Sequence, residues 1–451
     1  MFEKLKEMIA ALGGDHDAGP APAAAAEGAI VHQVLDPAFL HSQLEQIQKA
    51  GGGLLSDEQY QRMYADLTAA QASPVSGADA TQGGQAYLPR SPAVSLLQST
   101  LTDCITSRFE DLVKPLPPGK RSFADFILRE EDVFRKFGPC DACWAESVIS
   151  KGLALLEGKP DFVDGRAPEV EIADNARLVV VGDWGTGLPG AQAVGQEMGR
   201  QIRQAKGEGR EVHALHLGDV YYSGWKEEYQ SRFMPYWPVR SAGEGVASWA
   251  LNGNHDMYSG GHGYFGYLLR DPRFAAQNGS SYFCLKNKSW QLLGLDTAYV
   301  DDDLAGGQAE WVAGKQRESE RKTMLLTHHE PFSSYVEVNP PLLKRLKPAF
   351  DVRRADAWLW GHEHLCCVYK PDLHPYLGFG SCIGHGGVPV LLDDKEPLPE
   401  DVAWRAGEFE LHDEDRWQLF GFAVLDFDGE GIEISYYNQQ GGQPVHSDRI
   451  E

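Results

Sequence analysis

Short apolar runs that end abruptly in polar side chains recur through the second half of the chain. Leu178-Val179-Val180-Val181, Ala214-Leu215 with Leu217, Trp249-Ala250-Leu251, Met324-Leu325-Leu326 and Ala357-Trp358-Leu359-Trp360 are apolar at consecutive positions and bounded by turn-forming residues. Such runs, with helical patterns between them, predict parallel strands covered on both faces. Ala191 to Gln204 has the spacing of a first crossover helix, and Pro341 to Leu346 begins another. Ser281 to Leu285 and Trp290 to Leu295 predict antiparallel strands. Tyr376 to Ile383 follows as a further strand, then Phe420 to Phe427 and Gly431 to Tyr437 around Asp428-Gly429 predict a closing hairpin. Two sheets face to face with helices outside fit this order.

Upstream the texture changes. Met1 to Leu12 has helical spacing at Phe2, Leu5, Met8, Ile9 and Leu12 but lacks the long apolar centre and cleavage site of a signal peptide. Gly19-Pro20, Pro22 and the run Ala23 to Ala26 read as a flexible segment, so residues 1–30 form a first unit. Residues 31–170 show helical periodicity, as in Leu97, Leu101, Cys104, Ile105, Phe109 and Leu112, broken by polar stretches such as Ser73 to Gly84. They predict an all-helical domain of unknown role, which could serve as a surface for a protein partner. Residues 171–451 form the α/β domain.

At 451 residues and 42% apolar content the chain can bury a large core. A formal net charge of −24 with no run of Lys or Arg argues against nucleic acid as substrate, because a phosphate backbone needs a basic track. Nothing approaches a membrane span. Seven cysteines, an odd number, fit reduced thiols; Cys140-Asp141-Ala142-Cys143 stands alone, without a second pair at zinc-site spacing. The expected location is cytoplasmic.

The chemistry sits where the apolar runs stop. Gly182-Asp183-Trp184-Gly185, Gly218-Asp219-Val220-Tyr221-Tyr222, Gly253-Asn254-His255-Asp256, Thr327-His328-His329-Glu330-Pro331 and Gly361-His362-Glu363-His364 follow the five runs in order. In α/β sheets, ligands gather at the carboxyl ends of strands. Carboxylates, an amide, a phenol and imidazoles together suit two cations roughly 3.5–4 Å apart, which can generate a hydroxide and neutralise phosphoryl oxygens. Asp219 is the candidate bridge between the ions. Asp183 and Tyr222 form a harder donor set, and Asn254, His329 and His362 supply neutral donors. His364, two residues from His362, can address the neighbouring ion from the same side of an extended segment. His255 falls at the rim as a candidate general acid, with Asp256 as its orienting carboxylate. Tyr258, His262, Tyr264 and the loop Gly384-His385-Gly386-Gly387 are candidates to line the substrate mouth. Asp301-Asp302-Asp303 reads as a solvated acidic turn.

The order and content of these blocks resemble the calcineurin-like metallophosphoesterase superfamily, and within it the purple acid phosphatase branch, over residues 171–451. Members usually begin with Asp-x-His, whereas Asp183 is followed by Trp184 and Gly185, an absence shared with the purple branch. That branch carries a Tyr three residues after the bridging Asp, the position of Tyr222. The resemblance implies a four-layer α-β-β-α sandwich. It also implies a first metal held by Asp183, Asp219, Tyr222 and His364, and a second by Asp219, Asn254, His329 and His362, with His255 as the acid that is not a ligand. The spacing to Pro331 selects His329, and His328 is the alternative. Gly307-Gln308-Ala309-Glu310-Trp311 resembles a helix start common between the third and fourth blocks.

Phenolate and carboxylates favour a hard trivalent ion, Fe(III), at the first site; the second suits Fe(II), Zn or Mn. The expected activity is hydrolysis of a small phosphate ester, a monoester first, by in-line attack of a metal-bound hydroxide. The competing readings are a phosphodiesterase acting on a cyclic-nucleotide or lipid-type diester, and a binding or signalling module that keeps the metal site without turnover.

Overall fold

The computed structural model describes residues 158–335, 341–392, 398–410 and 416–451. The expected segment 1–30 and almost all of the expected helical domain 31–170 lie outside the described residues, as do Cys140 and Cys143. Residues 158–168 run without helix or strand before the first strand begins.

Two large mixed sheets carry the fold among the described residues. The strands are β1 (Glu169–Glu171), β2 (Arg177–Val181), β3 (Val212–His216), β4 (Ala247–Ala250), β5 (Phe283–Lys286), β6 (Trp290–Gly294), β7 (Lys322–Leu326), β8 (Ala355–Trp360), β9 (Cys366–Tyr369), β10 (Leu377–Ile383), β11 (Leu391–Leu392), β12 (Val402–Arg405), β13 (Glu408–Glu410), β14 (Arg416–Gln418), β15 (Gly421–Phe427), β16 (Ile432–Asn438) and β17 (His446–Ile450). One sheet has the order β17-β16-β15-β2-β3-β4 and the other β1-β5-β6-β7-β8-β10-β9-β12, with β11-β14-β13 as a small third sheet. All five apolar runs lie in or directly follow parallel strands. β2, β3 and β4 pair in parallel in the first sheet, and β6, β7, β8 and β10 in the second. The closing hairpin is β15 and β16, and β5 pairs with β6 antiparallel.

The alternation along each strand decides which layer it feeds. Leu178, Val180, Leu215, Leu217, Trp249, Met324, Leu326, Ala357 and Leu359 turn inward and form one core between the sheets with Leu425 and Phe427. Their neighbours Val179, Val181, Ala214 and Ala250 turn outward under α1 (Pro189–Gly207), packing on Val194, Met198 and Ile202. On the far side, Leu293, Leu325, Trp358 and Trp360 pack with Val312 of α2 (Gln308–Glu318) and with Leu342 and Leu346. Helix, sheet, sheet, helix is the resulting order. Burying both faces of the central strands explains why their sequences read as unbroken apolar runs rather than alternating ones. No described helix is long and apolar enough to cross a membrane.

The sheets meet at one edge. Gly182, just past β2, donates its N–H to Ile383 O at the end of β10 (3.0 Å) and accepts from Gly386 N (3.0 Å), so the carboxyl ends of β2 and β10 are stitched across the gap between sheets. A Cβ at Gly182 would lie 2.7 Å from the Ile383 carbonyl, so only glycine permits this approach.

Candidate metal centre

Around that seam the strand ends release their polar side chains. Asp183 follows β2, Asp219 follows β3, and Asn254 and His255 open a short helix (Asn254–Tyr258) after β4. From the second sheet come His328 and His329 after β7, and His362 and His364 after β8. Seven described residues other than glycine have positive φ, and four of them are Asp183 (54°), Asp219 (78°), His362 (68°) and His364 (53°). For such residues this backbone region costs of order 1–3 kcal/mol each, and its concentration on these four marks a functional constraint rather than ordinary turns.

The side chains form two donor groups. Asp183, Asp219 and His364 present ligand atoms within 4.8 Å of one another, and His328, His329 and His362 do the same. Asp219 joins them: its Oδ2 is 3.4 Å from His328 Nε2, while its carboxylate shares a phenol with Asp183. Asn254 Oδ1 sits inside the second group, 3.0 Å from His328 Nε2 and 3.1 Å from His362 Nδ1. His328 Nδ1 donates to the Leu217 carbonyl (3.1 Å), which leaves the Nε2 lone pair facing the group. Both adjacent histidines therefore belong to the site, where the family spacing had singled out His329.

The phenol at the first group is Tyr221. Its hydroxyl lies 3.0 Å from Asp183 Oδ1, 3.1 Å from Asp219 Oδ2 and 2.8 Å from His364 Nε2. Tyr222, the residue expected there, lies beside it with its ring 5.2 Å from the Arg232 guanidinium, and both tyrosines share an apolar cluster with Leu188 and Val388; the Tyr222 carbonyl accepts from His255 Nδ1 (2.7 Å). The spacing rule points to Tyr222, whereas the turn after Asp219 brings the Tyr221 hydroxyl to the donor group.

Asp256 does not orient His255 as expected. Its carboxylate accepts from the main-chain N–H groups of Gly253 (2.7 Å), Asp219 (2.9 Å) and Val220 (3.1 Å) and from the Tyr229 hydroxyl. It ties the Asp219 turn to the Asn254 helix. His255 is oriented instead by the Tyr222 carbonyl, and its Nε2 faces Asp219 Oδ2 at 4.0 Å.

The expected mouth residues divide. Tyr258 is at the site, half-buried, accepting from Asn254 Nδ2 (2.8 Å) with its ring 4.7 Å from that of His255. Tyr264 is fully buried and donates to the Ala250 carbonyl (2.7 Å), a packing role. His262 Nε2 lies 3.0 Å from the Gly158 carbonyl, bonded away from the donor groups. His385 is buried and its carbonyl holds Gly421 N (2.9 Å), so the glycine-rich loop is closed structure rather than an open binding loop. Trp184, next to Asp183, turns outward: its Nε1 donates to Ala191 O (2.6 Å) and its ring packs on Phe233 and Trp237.

Electrostatics show what the arrangement accommodates. Burial, with the opposing Asp219 charge, raises the Asp183 carboxyl well above its usual range, and burial pushes Asp219 up to about 7. Burial works the other way on imidazoles, lowering His255 and His362 to about 4 and His364 to about 3, with His328 and His329 also well below normal. Acids held partly neutral beside imidazoles that resist protonation are a donor set lacking positive charge. A cation relieves both penalties at once, since it favours carboxylates and neutral imidazoles together. The residues fit a pair of metal ions.

Residues 176–366 match the family model for calcineurin-like phosphoesterases. The matched region runs through all five polar blocks, from Asp183 to His364. Similar solved structures include GAP50, the anchor in the inner membrane complex of Plasmodium, at 12% identity over 61% of this chain and 89% of that one, with a TM-score of 0.46. PhoD is 10% identical over 63% and 74%, with a TM-score of 0.38, and a predicted phosphoesterase of Streptococcus pneumoniae is 11% identical over 61% and 97%, with a TM-score of 0.28. No curated protein matches the chain at a significant level.

Two expectations follow from the geometry. A Cβ at Gly253 would lie 2.0 Å from Asp219 Oδ1, so Gly253→Ala displaces the carboxylate shared by the groups; elemental analysis of the purified variant is expected to show metal content well below that of the parent. The phenols separate by spectroscopy on iron-loaded protein: Tyr221→Phe abolishes a visible charge-transfer band and Tyr222→Phe keeps it. The reverse result would return the role to Tyr222.

Proposed function

We propose that the chain is a binuclear-metal-dependent hydrolase of phosphate esters, with a small phosphomonoester as substrate. One observation carries this reading: a single carboxylate, Asp219, lies 3.1 Å from the phenol of one donor group and 3.4 Å from His328 Nε2 of the other. The family match over residues 176–366 supports the reaction class. The preference for a monoester rests on the resemblance of the polar blocks to the purple branch.

In this reading Asp183, Asp219, His364 and the Tyr221 phenol would hold the first ion, and Asp219, Asn254, His328, His329 and His362 the second. The acids and phenol favour Fe(III); the imidazoles and amide suit Fe(II), Zn or Mn. A pair of cations there would supply a water-derived nucleophile at neutral pH and neutralise the phosphoryl oxygens. The protein's own contribution centres on His255. Because Nδ1 is engaged by the Tyr222 carbonyl, Nε2 is the nitrogen offered to the site. Burial lowers the His255 imidazole to about 4, and an anionic phosphoryl group beside Nε2 would favour its protonated form. The proton then passes from Nε2 to the departing alkoxide, a contribution of roughly 10²–10⁴-fold. Tyr258 holds the Asn254 amide and flanks the His255 ring, fixing both. The four cysteines among the described residues, Cys284, Cys366, Cys367 and Cys382, are buried and unbridged, which suits the reducing cytoplasm.

A panel of matched nitrophenyl monoesters and diesters, assayed with metal-replete full-length protein, tests this function. Turnover is expected on the monoester first, abolished by chelation and restored by metal. His255→Ala is expected to lower kcat by roughly 10²–10⁴-fold with metal content unchanged. Greater turnover of the diester would replace the substrate class. No turnover on any ester by protein carrying both ions would leave the non-catalytic binding module as the better reading.

A further inference from the structure

We infer that Thr297 is a positioning residue for the second ion, fixing which nitrogen of His329 faces the donor group, and that Gln308 holds Thr297 in place. The inference rests on the two-ion reading above and concerns residues that the polar blocks do not contain.

Thr297 lies just beyond β6, which pairs in parallel with β7. Its Oγ1 is 2.9 Å from His329 Nδ1 and accepts the His329 main-chain N–H at 3.2 Å. One oxygen thus meets the imidazole and the backbone of the same residue. From the other side the Thr327 hydroxyl donates to the His329 carbonyl (2.8 Å). The histidine is clamped in position and in ring orientation. A hydroxyl oxygen has two acceptor lone pairs, so Oγ1 can take both the main-chain N–H and an Nδ1–H. That tautomer leaves the lone pair on Nε2, the nitrogen on the side of Asp301, whose Oδ1 is 4.0 Å away. The same logic operates at His328, where Nδ1 donates to the Leu217 carbonyl. A carbonyl can only accept and fixes the tautomer outright. A hydroxyl can also donate, so His329 is the imidazole of the pair whose tautomer depends on its partner's side chain.

Thr297 is held from behind. Gln308, fully buried at the start of α2, grips the main chain of the preceding residue at both ends: its Oε1 accepts Asp296 N (2.9 Å) and its Nε2 donates to Asp296 O (2.9 Å). The Asp296 carboxylate accepts from Ala298 N (3.1 Å) and Tyr299 N (2.8 Å), closing the turn around Thr297. This gives the block Gly307-Gln308-Ala309-Glu310-Trp311 a role: its glutamine carries the geometry of α2 to His329. Hydrogen-bond partners behind a ligating histidine set its tautomer and orientation, and their loss typically weakens metal affinity 10–100-fold.

The test is calorimetric titration of metal-stripped full-length protein with Mn(II), read alongside the melting temperature of the metal-free form. Thr297→Val keeps the shape and removes the hydroxyl; one of the two ions is expected to bind 10–100-fold more weakly while the other keeps its affinity. Thr297→Ser restores the oxygen and is expected to restore parental affinity. Parental affinity for both ions in Thr297→Val overturns the inference. So does equal weakening of both ions in the valine and serine variants together with a lowered melting temperature, which is the signature of general damage. Parent protein that takes up no ion sinks the two-ion reading itself.

Discussion

Two buried carboxylates facing one another set the terms for this protein. Asp183 and Asp219 are fully buried with ligand oxygens within 4.8 Å, a separation at which two unit charges repel by about 3 kcal/mol at the effective dielectric of a protein. The surrounding imidazoles cannot relieve this, because the burial that raises the acids lowers His328, His329, His362 and His364. Folding therefore assembles a site whose members each carry a desolvation penalty. Such a cluster is accounted for when positive charge belongs in it.

The sandwich makes that assembly possible by bringing the carboxyl ends of strands from two different sheets to one seam. The first sheet contributes Asp183, Asp219, Asn254 and His255, and the second contributes the four imidazoles. The glycines where the sheets touch permit the approach, and the left-handed backbone at Asp183, Asp219, His362 and His364 aims the donors. This local cost is opposed by the apolar core between the sheets, in which each fully buried large side chain contributes about 1.5–3 kcal/mol. Asp256 shows the same economy at smaller scale: one carboxylate gathers three main-chain donors, so the turns carrying Asp219 and Asn254 move as one unit.

Much of this was legible in the sequence, for identifiable reasons. Strands buried on both faces leave unbroken apolar runs, and β2, β3, β4, β7 and β8 could be placed between Leu178 and Trp360 from that texture. The polar blocks could be read because ligands sit at strand ends. What could not be read were side-chain directions within a turn. Spacing from Asp219 favoured Tyr222, yet the backbone of the Asp219 turn brings the Tyr221 hydroxyl to the donor group. Asp256 was adjacent to His255 in sequence, yet on a helix N-terminus its carboxylate turns back to main-chain N–H groups, a preference stronger than proximity to its neighbour. Tyr264 was placed at the mouth from its closeness to the third block and His385 from its glycine-rich loop, whereas packing buries both. Thr297 escaped notice because a positioning hydroxyl leaves no pattern; only its distance to His329 reveals it.

Occupation of the seam by two cations can be seen by crystallography with Mn(II)-grown crystals. Two anomalous difference peaks roughly 3.5–4 Å apart are expected, one among Asp183, Asp219 and His364 and the other among His328, His329 and His362, with Asp219 between them. A map without anomalous density at these residues, from crystals whose solution contains the ion in excess, would contradict it.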